Sequence, residues 1–233
     1  MSSNMAPNTI VSYDDTLNDH DGLALARVLA EAGASITLAY VRHTTRSERA
    51  REELEEHEAE SLLERGARWL GDLDVRRRVV VHASTGEGLK WLAEHEQAGL
   101  VIFGSDYRTA AGHVAPQRSA QRLLDGGRAA VAVAPANYRS SRDIEIRTVG
   151  VLAGADDRAA LDTAHSLADR LDATVSTKPY GVDLLIVGSR PEAAEGRVMI
   201  SAQAENAIEA ATCPVLVIAR GLPLEFAAPI YVS

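Results

Sequence analysis

The sequence has few of the features that mark secreted, metal-bound or membrane-embedded proteins. Cys213 is the only cysteine in 233 residues, which excludes an intrachain disulfide and a cysteine-rich zinc site. No apolar run approaches the roughly 20 residues that cross a bilayer, and the first residues lack the charged and apolar blocks of a signal peptide. We therefore expect a protein of reducing, cytoplasmic surroundings that has no contact with a membrane.

The chain is also short of positive charge. It carries 24 Lys and Arg against 33 Asp and Glu, for a net charge of −9. Phosphate backbones and anionic lipid surfaces are bound by basic surfaces, so nucleic acid is not expected as a partner. Motifs of common enzyme classes are missing as well: there is no P-loop, no dinucleotide-binding GxGxxG at a strand-to-helix turn and no GxSxG nucleophile elbow. We expect a protein that is not an enzyme.

What the sequence does contain is an internal repeat. Residues 100–135 align with residues 184–219 at a constant offset of 84 and without a gap. In each copy an apolar run ends at Gly-Ser, a helical pattern follows, and a second apolar run closes the unit. Buried parallel strands deliver loops of this kind to the carboxyl edge of a sheet, where open α/β folds bind their ligands.

The first part of the chain is predicted to be a complete α/β domain, residues 8–137. Apolar strands are predicted at residues 9–13, 35–41, 78–82, 99–105 and 130–134, with helical patterns between them. Strands that alternate with helices indicate an open, mostly parallel five-stranded sheet with helices on both faces.

The rest is predicted to be a shortened second copy. Residues 138–146 are polar and read as a linker, and residues 147–221 repeat the pattern but lack 56 residues, about one helix, one strand and another helix. Strands are predicted at residues 147–152, 174–180, 182–189 and 215–218. The apolar tail, residues 222–233, is expected to cover either the open face of the short domain or a neighbouring subunit.

An acidic cluster follows the first predicted strand. Its residues are Asp14, Asp15, Asp19, His20 and Asp21. Their oxygens could ligate a divalent cation. Negative charge also stabilises the beginning of a helix, and we expect a solvated helix start here rather than a metal site.

Several motifs of this chain together resemble those of a known protein family. They are the opening Tyr13-Asp14, the strand ends FGS and VGS, the helices AQRLL and AENAI, and the closing strands AVAVAP and CPVLVIA. The family that they resemble is the universal stress protein family. The resemblance covers nearly the whole chain and is to the tandem, two-domain form found in actinobacteria. It implies a nucleotide-binding type of α/β fold. ATP-binding members carry an early Asp and the pattern G-x-x-G, nine residues, G-(S/T), whose glycines let backbone amides approach phosphate oxygens.

This chain keeps the spacing of that pattern and loses most of its residues. In the first domain Gly104 and the early Asp14 remain, but Tyr107 and Gln117-Arg118 replace the later positions. In the second, the sequence reads Gly188, Pro191 and Ser201-Ala202, and Gly154 stands near the position of the Asp. Tyr107 fills space that a phosphate would need, and Pro191 removes an amide. Neither loop is expected to form the usual phosphate cradle.

The resemblance leaves three functional hypotheses. The first is a regulatory protein of the stress response that acts by binding, without catalysis, and has degraded ATP motifs. The second is an adenine-nucleotide-binding protein with slow ATPase activity that uses Asp14, Gly104, Ser105 and Arg118. The third is a scaffold for protein partners. The resemblance also implies that the two domains pair through their last strands, residues 130–134 and 215–218, and a homodimer is the default assembly.

Overall fold

The computed structural model describes residues 6–43, 49–141, 144–154 and 157–226, with the backbone alone for 49–54. The strands are β1 (Asn8–Ser12), β2 (Ser35–His43), β3 (Val75–His82), β4 (Leu100–Gly104), β5 (Ala130–Ala134), β6 (Thr148–Leu152), β7 (Thr174–Ser176), β8 (Leu184–Val187) and β9 (Val215–Val217). The helices are α1 (Leu17–Glu31), α2 (Arg49–Leu70), α3 (Thr85–His95), α4 (Arg118–Leu124), α5 (Arg158–Leu171) and α6 (Ala202–Ala210). Within these ranges, no helix is both long and apolar enough to cross a membrane.

All nine strands belong to one sheet, in the order β3-β2-β1-β4-β5-β9-β8-β6-β7. The prediction of an α/β fold with a mostly parallel sheet is confirmed, since β1 to β5 are mutually parallel and so are β6 to β9. The five strands predicted for the first domain are present, and the sheet continues from β5 into the second copy to give nine strands. We call residues 8–137 the first repeat and residues 147–221 the second repeat.

The two repeats join at one antiparallel pair of strands, β5 and β9. Val131 lies opposite Val217, and Val133 lies opposite Val215. This confirms the predicted pairing of the last strands. All four valines are at most 1% exposed, so the junction is part of the core and leaves no sheet edge in the middle of the molecule.

Alternate residues of the buried strands point to opposite faces of the sheet. In β4, Leu100 and Ile102 pack in the cluster that includes α1, α2 and α5, whereas Val101 and Phe103 pack in the cluster that includes α3, α4 and α6. Both faces are therefore covered, and the near-continuous apolar runs found in the sequence are explained by burial on two sides.

The beginning of the apolar tail covers the second repeat. Leu224 and Phe226 are 7% and 4% exposed and belong to the core cluster of α5. Their backbone amides donate 2.8 Å hydrogen bonds to the hydroxyls of Thr163 and Ser166 on that helix. Residues 222–226 thus cover their own repeat, which is the first of the two roles expected for the tail. Residues 227–233 lie outside the described part.

The second repeat reaches its third strand by a short route. We predicted a strand at residues 174–180, but β7 stops at Ser176. The chain then crosses the face of β6 at Gly150, where a Cβ would lie 2.9 Å from a methyl group of Val182 and 3.1 Å from the Lys178 carbonyl oxygen. β7 is short because the seven residues 177–183 must carry the chain across β6 to the start of β8.

Residues 138–146, predicted as a linker, pack against the body of the protein in the part that is described. A 3₁₀ turn at Tyr138–Ser140 follows β5. Further along, Ile146 is 4% exposed and belongs to the same core cluster as α1 and α5. The connection therefore contributes to the packing between the repeats.

Candidate functional site

The carboxyl edge of the first repeat is where a ligand site is expected. β2 and β4 lie on either side of β1, so the strand order reverses between β1 and β4, and ligands of open α/β sheets bind in such a crevice. Asp14 follows β1 and Gly104 ends β4, and these two strands are paired neighbours. The structure therefore brings Asp14, Gly104 and Ser105 to one edge.

At Gly104 the crevice is occupied by the first turn of α1. A Cβ at this position would lie only 1.9 Å from the backbone carbonyl oxygen of Asn18. The Asn18 side-chain amide also donates a 2.7 Å hydrogen bond to the carbonyl oxygen of Ser105. Gly104 is thus required for close packing between helix and strand, which accounts for this glycine without a ligand.

Ser105 has a structural role. Ser105 is 1% exposed, and its hydroxyl donates a 2.7 Å hydrogen bond to the carbonyl oxygen of Ala134. The same hydroxyl accepts a 3.2 Å hydrogen bond from the amide of Ala115. It links the end of β4, the end of β5 and the loop before α4, and it does not reach the surface.

The loop after β4 uses its own amides. Asp106 donates its amide to the carbonyl oxygen of Ala115 at 2.8 Å, Thr109 to that of Asp106 at 2.9 Å, and Gly112 to that of Ala136 at 2.8 Å. A phosphate cradle needs several free amides that converge on one point. In this loop the amides that fix its shape already have partners, as the loss of the pattern's glycines suggested.

Arg118 lies apart from the other three predicted residues. It is exposed at the first position of α4 and lines a cavity of about 490 Å³ together with His43, Ser84, Thr85 and Arg122. Among the residues that the structure describes, Asp14, Gly104 and Ser105 do not line this cavity. The predicted set is therefore divided between a packed crevice and a separate open cavity.

The cavity beside Arg118 offers some groups that suit an anion, although the exposed Asp125 carboxylate also lines it. The guanidinium of Arg118 carries charge, and the Thr85 hydroxyl lies 3.3 Å from His43 Nε2. Arg122 is already bound by the carboxylate of Glu87, and this ion pair lowers the pKa of Glu87. One guanidinium with a few hydroxyls is a weaker arrangement for a triphosphate than a set of converging amides.

Only part of the acidic cluster is the solvated helix start that we expected, because Asp14 and Asp15 are exposed whereas Asp19 and Asp21 are buried. Asp19 is 5% exposed, and its Oδ2 accepts hydrogen bonds from the amides of Asp14 and Thr16 and from the Thr16 hydroxyl, at 2.8 to 3.1 Å. Thr16 and Asp19 form a capping box at the beginning of α1. Burial, with the Asp14 carboxyl nearby, raises the pKa of Asp19 to about 8.

Asp21 is completely buried and holds the turn after β5. Its carboxylate accepts hydrogen bonds from the backbone amides of Asn137 (2.8 Å) and Arg139 (2.9 Å). It also forms an ion pair with the Arg139 guanidinium at 2.9 Å. In the described part of the chain, no group of three or more His, Cys, Asp or Glu side chains could hold a metal ion. The buried carboxylates of the cluster thus serve the packing of α1.

Asp15 is a residue whose role the sequence did not reveal. It has a φ of +68°, which is unusual for a residue other than glycine. Its carboxylate accepts hydrogen bonds from the Tyr13 hydroxyl at 2.7 Å and from Arg65 Nε at 2.8 Å, which lowers the pKa of Asp15. The adjacent acidic pair Asp14-Asp15 at a strand end was the only signal, and it did not indicate the partner on α2.

The second repeat reproduces the hydrogen bonds of the first at the offset of 84. The Ser189 hydroxyl donates to the carbonyl oxygen of Ile218 at 2.7 Å and accepts from the amide of Met199 at 3.2 Å. Gly188 corresponds to Gly104, and a Cβ there would lie 1.9 Å from Oδ2 of Asp157. Burial raises the pKa of Asp157. The Gly-Ser pair is therefore a packing device that both repeats use.

Comparison with family models and with curated proteins gives no match. Comparison with solved structures gives a universal stress protein from Archaeoglobus fulgidus, with a TM-score of 0.69 at 14% identity over 95% of this chain and 100% of that chain. A functionally unknown protein from Pseudomonas aeruginosa has a TM-score of 0.63 at 13% identity over 93% of this chain and 94% of that chain. The chain thus has the fold of a universal stress protein structure along nearly its whole length.

Proposed function

We propose that this protein is a tandem-domain member of the universal stress protein family, with a truncated second domain, that acts in the stress response by binding and without catalysis. The proposal includes a cytoplasmic setting and a homodimer. Its family part is supported by the motifs in the sequence and by the shared fold. The truncation is supported by the element order, because the second repeat passes from β7 to β8 without counterparts of α2, β3 and α3.

The main support for binding without catalysis is the close packing of the crevice at the carboxyl edge of the first repeat. Gly104 is closed off by the backbone of Asn18, and Ser105 is turned inward to Ala134. The loop that would hold phosphates is fixed by its own hydrogen bonds. The amides of Asp106, Thr109 and Gly112 are thus not available to phosphate oxygens, which supports a protein that does not hydrolyse ATP.

The experiment is a thermal-shift titration with ATP, ADP, AMP and a cyclic nucleotide, with and without Mg²⁺. A ligand at 100 times its dissociation constant stabilises the folded state by about 2.7 kcal/mol, which is about 5 to 10 °C for a chain of this size. We expect no saturable shift with any of these nucleotides. A saturable shift that Asp14→Ala abolishes would overturn the proposal.

A second candidate function is favoured by the cavity beside Arg118. An adenine nucleotide could place its phosphates there rather than in the loop after β4, and slow ATPase activity would then be possible in the first repeat. The same titration on Arg118→Ala tests this arrangement, with Arg108→Ala as a matched control. Arg108 is a charged residue of the loop before α4, and its guanidinium stacks on Tyr107 at 4.9 Å. A shift that only Arg118→Ala removes would support this candidate, and a shift that both variants leave intact would reject it.

A further inference from the structure

A second cavity lies beside the junction of the two repeats. It measures about 550 Å³ and is bounded by α4 on one side and α6 on the other. Most of its lining comes in pairs related by the offset of 84, among them Gln121 and Glu205, Leu124 and Ile208, and Asp125 and Glu209. We call this cavity the junction groove.

Hydrogen bonds between the repeats lie next to the junction groove, at residues adjacent in sequence to its lining residues Asp125 and Met199. The Gly126 amide donates to the carbonyl oxygen of Val198 at 2.8 Å, and the Val198 amide donates to that of Gly127 at 2.8 Å. The guanidinium of Arg197 adds a 2.9 Å hydrogen bond to the carbonyl oxygen of Gly126. Small-molecule sites are usually formed before the ligand arrives, and these bonds give the groove that property.

The groove has an apolar floor and an acidic rim. Leu124 and Ile208 are 4% and 3% exposed, and Met199 lies between the helices that carry them. The charged lining residues are Asp125, Glu205, Glu209 and Arg190. Three carboxylates against one guanidinium give the lining a net charge of −2, on a protein that is acidic throughout.

The rim carboxylates have no partner among the residues that the structure describes. In the described ranges, Asp125, Glu205 and Glu209 form no side-chain hydrogen bond or ion pair, while the Arg190 guanidinium lies 3.8 Å from Glu192. A concave surface with charges of one sign concentrates ions of the other sign. The groove therefore repels an anion such as a nucleotide and attracts a cation.

We propose that the junction groove binds an amphipathic organic cation, a small molecule with an apolar body and an amine or quaternary ammonium group. The apolar body packs on Leu124, Ile208 and Met199, and the cationic group lies between the carboxylates of Glu205 and Glu209. A volume of about 550 Å³ falls in the range of sites for drug-sized molecules. Asp14, Gly104 and Ser105 do not line this groove, which shares Gln121 and Asp125 with the cavity beside Arg118.

The test uses two fluorescent probes of similar apolar character and opposite charge. Ethidium, a cation, and anilinonaphthalene sulfonate, an anion, are each titrated with the protein free of nucleic acid. We expect ethidium to bind with one saturable site and the anion to bind at least about tenfold more weakly. Raising the salt concentration should weaken the binding of ethidium because its charge contact lies at the solvent-exposed rim.

Variants locate the site. Glu205→Gln with Glu209→Gln removes two rim charges at exposed positions and should weaken ethidium binding about fivefold. The control, Glu56→Gln with Glu60→Gln, removes the same charge from the exposed face of α2 and should leave binding unchanged. Met199→Trp fills the groove without changing its charge and should weaken binding at least about tenfold.

Three results would overturn the proposal. The first is equal binding of the two probes, which would indicate a merely apolar surface. The second is equal weakening by the α2 control, which would indicate general attraction to an acidic protein. The third is undiminished binding by Met199→Trp, which would place the probe elsewhere.

Discussion

Replacing Ser105 and Ser189 by alanine tests whether the Gly-Ser pairs are packing devices. Each hydroxyl bridges a buried carbonyl, that of Ala134 or Ile218, and an amide in the following loop. A buried polar group that loses its partner costs about 1 to 3 kcal/mol. The carbonyls are fully buried and the amides partly so, and we therefore expect each variant to lose about 2 to 3 kcal/mol.

The two losses should be equal and additive. β5 and β9 lie between β4 and β8, so the two serines are at least about 14 Å apart, three strand spacings, which is beyond the usual range of coupling. The measurement is urea unfolding of both single variants and the double variant, followed by circular dichroism. Ser84→Ala is the control, since the Ser84 hydroxyl makes no capping bond at α3, and it should change stability by less than about 0.5 kcal/mol.

One result would refute this reasoning. If Ser105→Ala left stability unchanged but altered a nucleotide response in the thermal-shift titration, the hydroxyl would be a ligand group and its inward orientation would be irrelevant. Unequal losses for the two serines would mean that the repeats do not share the same internal bond.

Three further predictions concern packing and charge. Gly104→Ala should destabilise the protein by about 3 kcal/mol in urea unfolding because of the Asn18 backbone, while Gly112→Ala, with a φ of +81° and open space around it, should lose only about 1 kcal/mol. The raised pKa of Asp19, about 8, means that the folded state keeps a proton that the unfolded chain releases near pH 4, so stability should fall as pH rises from about 4 to about 8. Asp19→Asn should flatten that slope when urea midpoints are compared at pH 5 and pH 8.5. Phe226→Ala should cost about 3 kcal/mol by thermal unfolding because its ring is 4% exposed in the core cluster of α5, and a loss below about 1 kcal/mol would show that the tail is not docked.

The sequence was sufficient to predict the features that follow from the internal repeat and from the alternation of apolar strands with helices. The offset of 84 identified the corresponding last strands of the two repeats, and the family resemblance implied that they pair, as Val131 and Val217 do. The apolar runs identified most of the strands. The beginning of β3 was missed because Arg76 and Arg77 are polar residues on a strand at the edge of the sheet, where one side faces water.

The roles of single polar residues were harder to predict. Asp21 looks like any acidic residue in the first turns of a helix, and its burial depends on Arg139, which is 118 positions away in the chain. Gly104 matched a nucleotide-binding motif, yet glycine is needed there because the backbone of Asn18 lies too close for a Cβ. Such roles follow from the way distant segments pack, and a local pattern does not contain that information.

The crossing at Gly150 lets the second repeat connect β7 to β8 in only seven residues. In the first repeat the strand farthest from the junction is β3, and the other strands follow the same order in both repeats. The chain then needs only a path back to β8, and the absent side chain of Gly150 provides it; the corresponding position of the first repeat is Ile10, which is fully buried. The glycine in the middle of β6 is therefore what allows residues 177–183 to pass directly over this strand on the way to β8.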